Sequence, residues 1–450
     1  MTTRQAVVVG GGIAGLTAAF EFHRAGWQVA VHEASDQWGG KVQTSPVGDR
    51  PVDAGPDAFL ARVPYGLALC EELGLDGELT SPVSPVPAYV HADGQLHELP
   101  QGTMLGVPTD LDLLATSNLI SDQGIARAAQ DQTMAPTPVD PDPSVGAVCR
   151  ARLGDEVTNR LIDPLLGAIN ASDIDRLSLA AAAPQLAAAL ATSGSLIDGM
   201  AAQRATANSA TLGNRDPNAP VFYGLPGGVA RIIERLIEEL SGAELHRQSP
   251  ITSLAQLGQA DAIVLAVPAF AAAAILGPED PAAAVLETIE YADVSQVVAE
   301  LSISSVERVL DASGILFPRA EGKLMTACTW LSTKWDHYRR TDSVLVRLSS
   351  GRFGDTRHND LDDRQLTDAL LAELDTVLAI SEPPIATRVK RWPQAFPQYT
   401  PGHRDRVAEA RALTSERHPN LALVGASYDG IGVPACINAG RSAAIEMIES

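Results

Sequence analysis

Three glycines in the pattern Gly10-x-Gly12-x-x-Gly15 lie between a short β-branched run, Ala6 to Val9, and a stretch of helical character, Leu16 to Ala25. A glycine turn that leaves a strand and opens a helix has a specific chemical use. The first glycine permits the tight turn, the second lets backbone approach a diphosphate, and the third lets helix pack on strand. The helix N-terminus adds free N–H groups and the positive end of its dipole. Glu33 ends the next strand, Gln28 to His32, where a carboxylate can accept hydrogen bonds from both hydroxyls of a ribose and disfavours a 2′-phosphate. The chemistry indicated is the holding of a dinucleotide. A plain tight turn with a solvated carboxylate is the alternative that the combined context argues against.

Gly39-Gly40-Lys41 follows Glu33 too soon for another strand, so it reads as a loop folding back over the ligand. Plain NAD domains do not need this second glycine pair. The elements that must position these residues form one βαβ unit with a parallel sheet, in which Gly26 stops the first helix. Later in the chain, Pro226-Gly227-Gly228 opens a helix over Val229 to Leu240, and Asp261 to Val267 reads as a second buried strand. Leu421 to Val424 is expected to be a strand, Gly425 to Pro434 a turn, and Cys436 to Ile448 a closing helix.

Between these segments the pattern changes. Prolines from Pro82 to Pro108 and the Asp93-Gly94 turn suggest a hairpin in a second lobe. Gln130 to Pro143 reads as a loop, Ser144 to Leu166 and Ala180 to Ala191 as helix, and the polar stretch Ala201 to Pro220 as a mobile surface loop. Val294 to Leu301, Gly314 to Pro318, Leu324 to Leu331 and Ser343 to Leu348 read as an antiparallel sheet, and Leu366 to Ile380 as an amphipathic helix.

A chain of 450 residues exceeds what one core usually supports, and 45% hydrophobic with 20% charged residues is ordinary globular composition. The net charge of −22 argues against nucleic acid or an anionic membrane as partner, and an acidic substrate would need a local cationic cluster. Cys70, Cys149, Cys328 and Cys436 lie far apart, which argues against a disulfide framework or a metal cage. No secretory leader is evident before Val7, and Ala262 to Leu276 is too short and too broken by Pro268 to span a bilayer, so the expected location is the cytoplasm. Neither G-x-S-x-G nor H-E-x-x-H occurs, and no catalytic triad or metal site is expected.

Val7 to Gly15 with Glu33-Ala34 and Gly39-Gly40-Lys41 resembles the amine oxidase and protoporphyrinogen oxidase superfamily of flavoproteins. Within it, Asp53 to Leu60, Asp163 to Ala171, Leu225 to Gly228, Thr326 to Trp330 with Lys334-Trp335, Arg391-Trp392, Pro397 to Tyr399 with Gly402-His403, and Gly425 to Cys436 resemble porphyrinogen oxidase segments in the same order. The resemblance implies an α/β fold, with a Rossmann-like FAD-binding domain (1–80, 221–275 and 416–450) and a second, α+β substrate domain (81–220 and 276–415). It implies FAD contacts from Gly10, Gly11, Gly12, Ile13, Ala14, Gly15, Glu33, Ala34, Lys41, Gly55, Pro56, Asp57, Ala58, Ile251, Trp392, Ile431, Gly432 and Val433; valine is commoner in the family where Ile251 stands.

The same resemblance places Arg62 beside the substrate, where it could pair with a propionate, although Val63 departs from a basic residue seen in one family pattern. Lys334 and Arg176 are further candidates. The activity implied is oxidation of a porphyrinogen by dioxygen with release of peroxide, with coproporphyrinogen III favoured over protoporphyrinogen IX. The soluble look of the chain and its alanine-rich composition, in which arginine far outnumbers lysine, favour the bacterial branch. A ferrochelatase receiving the product and at most peripheral membrane contact are the partners expected. Amine oxidation and a non-catalytic binding module are the other classes the scaffold permits.

Overall fold

The computed structural model describes residues 4–83, 87–136, 138–214 and 220–450. The chain separates into two compact units, one drawn from residues 1–81, 220–290 and 404–450 and the other from 82–219 and 291–403.

In the first unit, β1 (Gln5–Val9) runs into α1 (Ile13–Arg24) and β2 (Gln28–His32). Strands β3 (Glu244–His246), β4 (Ala262–Leu265) and β5 (Leu421–Leu423) complete a sheet in the order β3-β2-β1-β4-β5, with every neighbouring pair parallel. Val8 stands opposite Val31 on one side and Val264 on the other. A parallel sheet is covered on both faces, which is why β4 reads as the unbroken apolar run Ala-Ile-Val-Leu.

Helix α1 is buried at every position from Ile13 to Phe20. Its small residues let a second helix, α2 (Val433–Glu449), approach to backbone contact: a Cβ on Gly440 would stand 2.0 Å from the carbonyl oxygen of Ala14. The Arg441 guanidinium donates to Glu21 of α1 and to Glu72 of the helix Tyr65–Glu72, both at 2.6 Å, and ties the three helices together.

Residues 276–290 and 404–415, expected with the substrate domain, belong to the first unit. Their side chains explain the assignment. Arg411 bonds the Leu423 carbonyl at 3.2 Å and Asp429 at 2.9 Å, and the His418 ring lies 2.9 Å from buried Asp280.

The second unit is built on a seven-stranded sheet in the order Ala386–Pro397, Tyr291–Ser302, Ser343–Ser350, Met325–Trp330, Gly314–Leu316, Tyr89–Ala92, Gln95–Glu98. All pairs are antiparallel except Gly314–Leu316 with Tyr89–Ala92. Helix Asp363–Leu378 covers the sheet with Leu366, Leu370, Leu374 and Leu378, and begins with a capping box between Asp362 and Gln365.

Two parts of the second unit differ from the sequence-based expectation. The stretch expected as a mobile loop is helical from Leu196 to Asn214, with residues 215–219 outside the described residues. Alanine is the best helix former. In addition, the Ser195 hydroxyl accepts from the Asp198 N–H at 3.1 Å and donates to buried Asp131 at 2.7 Å, which fixes the helix start. Strand Ala386–Pro397 was not expected, because Pro393 and three basic residues interrupt its apolar pattern. It is an edge strand, where proline and charge are tolerated.

All four cysteines are free and buried. Burial pushes the thiols of Cys70, Cys149 and Cys328 up to about 12 and that of Cys436 up to about 11. A thiol whose folded pKa exceeds its unfolded value stabilises the fold below the unfolded pKa and loses that contribution as pH rises through the folded one. Stability to urea is therefore expected to fall between about pH 9 and pH 12. A thiol-reactive chromogen at pH 8 is expected to label none of the cysteines in the native protein and all of them after unfolding; rapid native labelling would contradict the burial.

Candidate functional site

The turn after β1 contains glycines of two physical kinds. Gly10 has φ +108°, and a Cβ there would lie 2.4 Å from the Ala266 carbonyl oxygen; a Cβ on Gly15 would lie 2.0 Å from the Gly10 carbonyl oxygen. The chain itself requires glycine at these two positions. Gly12 is different. It caps α1 with ordinary extended dihedrals (φ −76°, ψ 176°), and a Cβ there would meet nothing nearer than the Gly40 Cα at 4.0 Å. Neither strain nor protein packing accounts for glycine at this helix N-terminus, which leaves the space in front of its backbone open.

The surrounding loops bear on the same spot. The Gly11 N–H donates to Glu33 Oε2 and the Ser35 N–H to Glu33 Oε1, both at 2.8 Å, which fixes the carboxylate at the end of β2 beside the turn. The Gly39 N–H donates to the Gly11 carbonyl at 2.7 Å, and Gly39 and Gly40 have φ of +101° and +59°. The loop thus folds back over the turn, as its glycine pair suggested. Gly55 crosses behind it so closely that a Cβ would lie 1.9 Å from the Lys41 carbonyl oxygen, which places Gly55 against the same loop.

Helix α2 presents a second N-terminus of the Gly12 kind. Gly432 caps it at φ −72°, ψ 148°, and a Cβ there would meet only Pro434 Cδ at 3.8 Å. Ile431, Gly432 and Val433 make up this end of the helix. The Lys41 amine is pushed below its ordinary value by burial, partly opposed by the neighbouring Cys436 thiol in the first turns of α2. Lys41 thus follows directly on the loop whose Gly40 touches Gly12 and feels the Cys436 thiol of α2. The adjoining segment runs beside Glu33, with the Ser249 N–H donating to the Glu33 carbonyl at 2.9 Å, and carries Ile251 two residues on.

Other expected site residues are placed differently. Arg62 is exposed just past strand Phe59–Leu60 in the first unit. Trp392, Lys334 and Arg176 belong to the second unit. Trp392 lies on the edge strand with the Lys390 amine 4.4 Å from its ring centre; Lys334 sits 5.3 Å from the Trp335 ring, and Arg176 sits 4.5 Å over Phe353. Sequence reasoning did not single out Asp53, whose buried carboxylate accepts from the Val229 N–H at 2.9 Å and the Thr44 hydroxyl at 3.2 Å and so docks the Pro226-Gly227-Gly228 turn. It also missed Arg352 and Gln296, which line a pocket in the second unit.

Comparison with known proteins decides what this cradle belongs to. The family model for flavin-containing amine oxidoreductases matches residues 13–448. The chain belongs to that family. Its cofactor is FAD, and two helix N-termini capped by sterically unconstrained glycines, with the Glu33 carboxylate fixed at the end of β2 beside the turn, suit such a dinucleotide.

The chain is 32% identical to the coproporphyrinogen III oxidase of Bacillus subtilis (strain 168), over 98% of this chain and 97% of that protein. It is 34% identical to the protein of the same name from Mycobacterium bovis, over 100% and 98%. Among solved structures, one from Exiguobacterium sp. 255-15, provisionally named protoporphyrinogen oxidase, is 28% identical with TM-score 0.87, covering 100% of this chain and 99% of that one. The fold also matches putrescine oxidase at TM-score 0.70 and 17% identity.

The two kinds of glycine are experimentally separable. Gly12→Ala is expected to leave the melting temperature of the apoprotein nearly unchanged and to weaken FAD binding by about tenfold or more, roughly 1.4 kcal/mol. Gly10→Ala is expected to lower the apoprotein's melting temperature by several degrees, because it combines a disfavoured φ with a backbone clash. Melting curves with and without FAD, together with FAD titrations, check both; a Gly12→Ala protein that retains full FAD affinity would remove the ligand-based reason for this glycine.

Proposed function

We propose that this chain is a coproporphyrinogen III oxidase of haem biosynthesis, removing hydrogen from the macrocycle to give coproporphyrin III while dioxygen is reduced to hydrogen peroxide. The observation that carries the reading is full-length likeness to several relatives of that name, at 31% to 34% identity. The chloroplastic protoporphyrinogen oxidase of Arabidopsis thaliana is more distant, at 27%.

Bound FAD supplies an acceptor for a hydride equivalent and returns the electrons to dioxygen. In this reading the N–H groups at the start of α1, from Gly10 to Gly15, hold its diphosphate, and Glu33 and Ala34 meet the ribose. Ile251 borders the adenine. Lys41, Gly55, Pro56, Asp57, Ala58, Trp392 and the α2 N-terminus from Ile431 to Val433 complete the surroundings. The substrate needs no protein acid or base to activate it, because pyrrole nitrogens release electron density as hydrogen leaves a meso carbon. The chain's work is therefore orientation and water exclusion. For a substrate with acidic arms bound by a protein of net charge −22, cationic anchors are a necessity, and Arg62, Lys334 and Arg176 are the proposed ones.

Among the described residues no helix is long and apolar enough to cross a membrane. We place the enzyme in the cytoplasm, with at most peripheral membrane contact, handing its product to a ferrochelatase.

Purified, FAD-loaded protein is expected to turn over coproporphyrinogen III faster than protoporphyrinogen IX in air, with porphyrin fluorescence and peroxide rising together. Preference for protoporphyrinogen IX would move the enzyme to a later step, and a yellow protein inert to both would overturn the reading. Arg62→Ala is expected to raise KM roughly three- to tenfold with bound FAD unchanged; an unchanged KM would exclude Arg62 from the substrate site.

A further inference from the structure

Within the second unit, a pocket of about 110 Å³ opens between the sheet and the helical segment Thr158–Gly167, lined by Val294, Gln296, Phe317, Arg352 and Phe396 on one side and Asp163 on the other. Its polar groups are unusual for a protein interior. Arg352 is only 8% exposed, its Nε is buried without a hydrogen-bond partner, and no carboxylate among the described residues forms an ion pair with it. The Gln296 Oε1 is likewise buried and unpartnered.

Arg319 stands close by. Its Nη2 donates to the carbonyls of Phe353 and Ser172 at 3.0 and 3.4 Å, its backbone N–H donates to Asp163 Oδ2 at 3.1 Å, and its Nε too is buried without a partner. The Asp355 carboxylate is engaged by Arg357 at 2.7 and 2.8 Å. Burial pushes the Asp163 carboxyl above the ordinary carboxylate range, opposed by the Arg319 backbone N–H and by the Arg319 and Arg352 charges beside it.

Burial and the neighbouring Arg319 charge hold the Arg352 guanidinium below its ordinary value, opposed by Asp163 and Asp355, and although the chain has 55 acidic residues none of those described lies within ion-pair distance of it. An anionic ligand group seated against the unpartnered Arg352 Nε would complete that partial compensation. We propose that the Arg352–Gln296 pocket takes one carboxyethyl arm of the substrate, Arg352 binding its carboxylate and the apolar side chains Val294, Phe317 and Phe396 enclosing its methylenes. The proposal rests on the porphyrinogen reading and assigns one anchoring point within it.

The size agrees. A water-sized group needs on the order of 10–15 Å³, so the pocket holds several such groups, enough for one short arm and far too little for a tetrapyrrole. The chemistry agrees as well. A planar guanidinium fork matches a carboxylate, and the pocket wall beyond it is apolar.

The test uses FAD-loaded wild type, Arg352→Gln and Arg352→Lys, and reads quenching of coproporphyrin III fluorescence on binding, with coproporphyrin III tetramethyl ester as control. The wild type is expected to bind the free acid at least tenfold more tightly than the ester. Arg352→Gln should lose at least tenfold for the acid and less than twofold for the ester, and Arg352→Lys should recover part of the loss. Equal binding of acid by wild type and Arg352→Gln, or parallel loss of acid and ester, overturns the proposal. If Arg352→Gln does not fold, the wild-type comparison of acid with ester still decides: equal affinities overturn it. Turnover of coproporphyrinogen III by the same wild-type sample tests the underlying reading separately, because an inert yellow enzyme fails that reading whatever the porphyrin titrations give.

Discussion

Everything in the first unit depends on how closely helix α1 is enclosed. The Gly10 carbonyl lies where a Cβ on Gly15 would stand, and the Ala14 carbonyl where a Cβ on Gly440 would stand, so α1 meets the turn on one side and α2 on the other at backbone distance. Leu16, Ala18, Ala19 and Phe20 are buried within the same core cluster as Ile437 and Ala444 of α2. Close packing of this kind leaves the helix no freedom to tilt or slide. Its N-terminus is therefore held in one place, as a preorganised anion site requires, since a donor that had to be repositioned on binding would lose part of the binding energy to ordering.

This part of the molecule was legible because its constraints are local. Gly10, Gly12 and Gly15 lie within six consecutive residues between a strand and a helix, and Glu33 ends the next strand, so spacing alone carries the geometry. What spacing could not show is that the glycines answer to different demands: Gly10 and Gly15 to the chain's own atoms, Gly12 to space beyond them. That distinction exists only in three dimensions.

The second unit was less legible for the same reason in reverse. Gln296, Phe317, Arg352 and Phe396 come from separate strands and loops, and no short-range pattern connects them. The stretch Ala201 to Pro220 reads as a loop because it lacks large apolar residues, yet the helix Leu196–Asn214 runs into it, favoured by alanine's preference for helix and by the anchoring of its start through Ser195 and Asp131. Edge strand Ala386–Pro397 is hard to read in the sequence because, among the described strands, it pairs with Tyr291–Ser302 alone, and an edge position tolerates proline and charge that a central strand would reject.

The first unit is assembled from three separate stretches of chain, and its last strand and closing helix, β5 and α2, come from residues 421–449. During synthesis, β1, α1 and β2 emerge first, yet the α1 surface that Gly440 and Ile437 cover stays open until more than 400 further residues have followed. The glycine turn is thus the earliest feature of the cradle to be made and among the last to become functional. Such long-range closure is slow and leaves the apolar face of α1 open in the nascent chain until β5 and α2 dock.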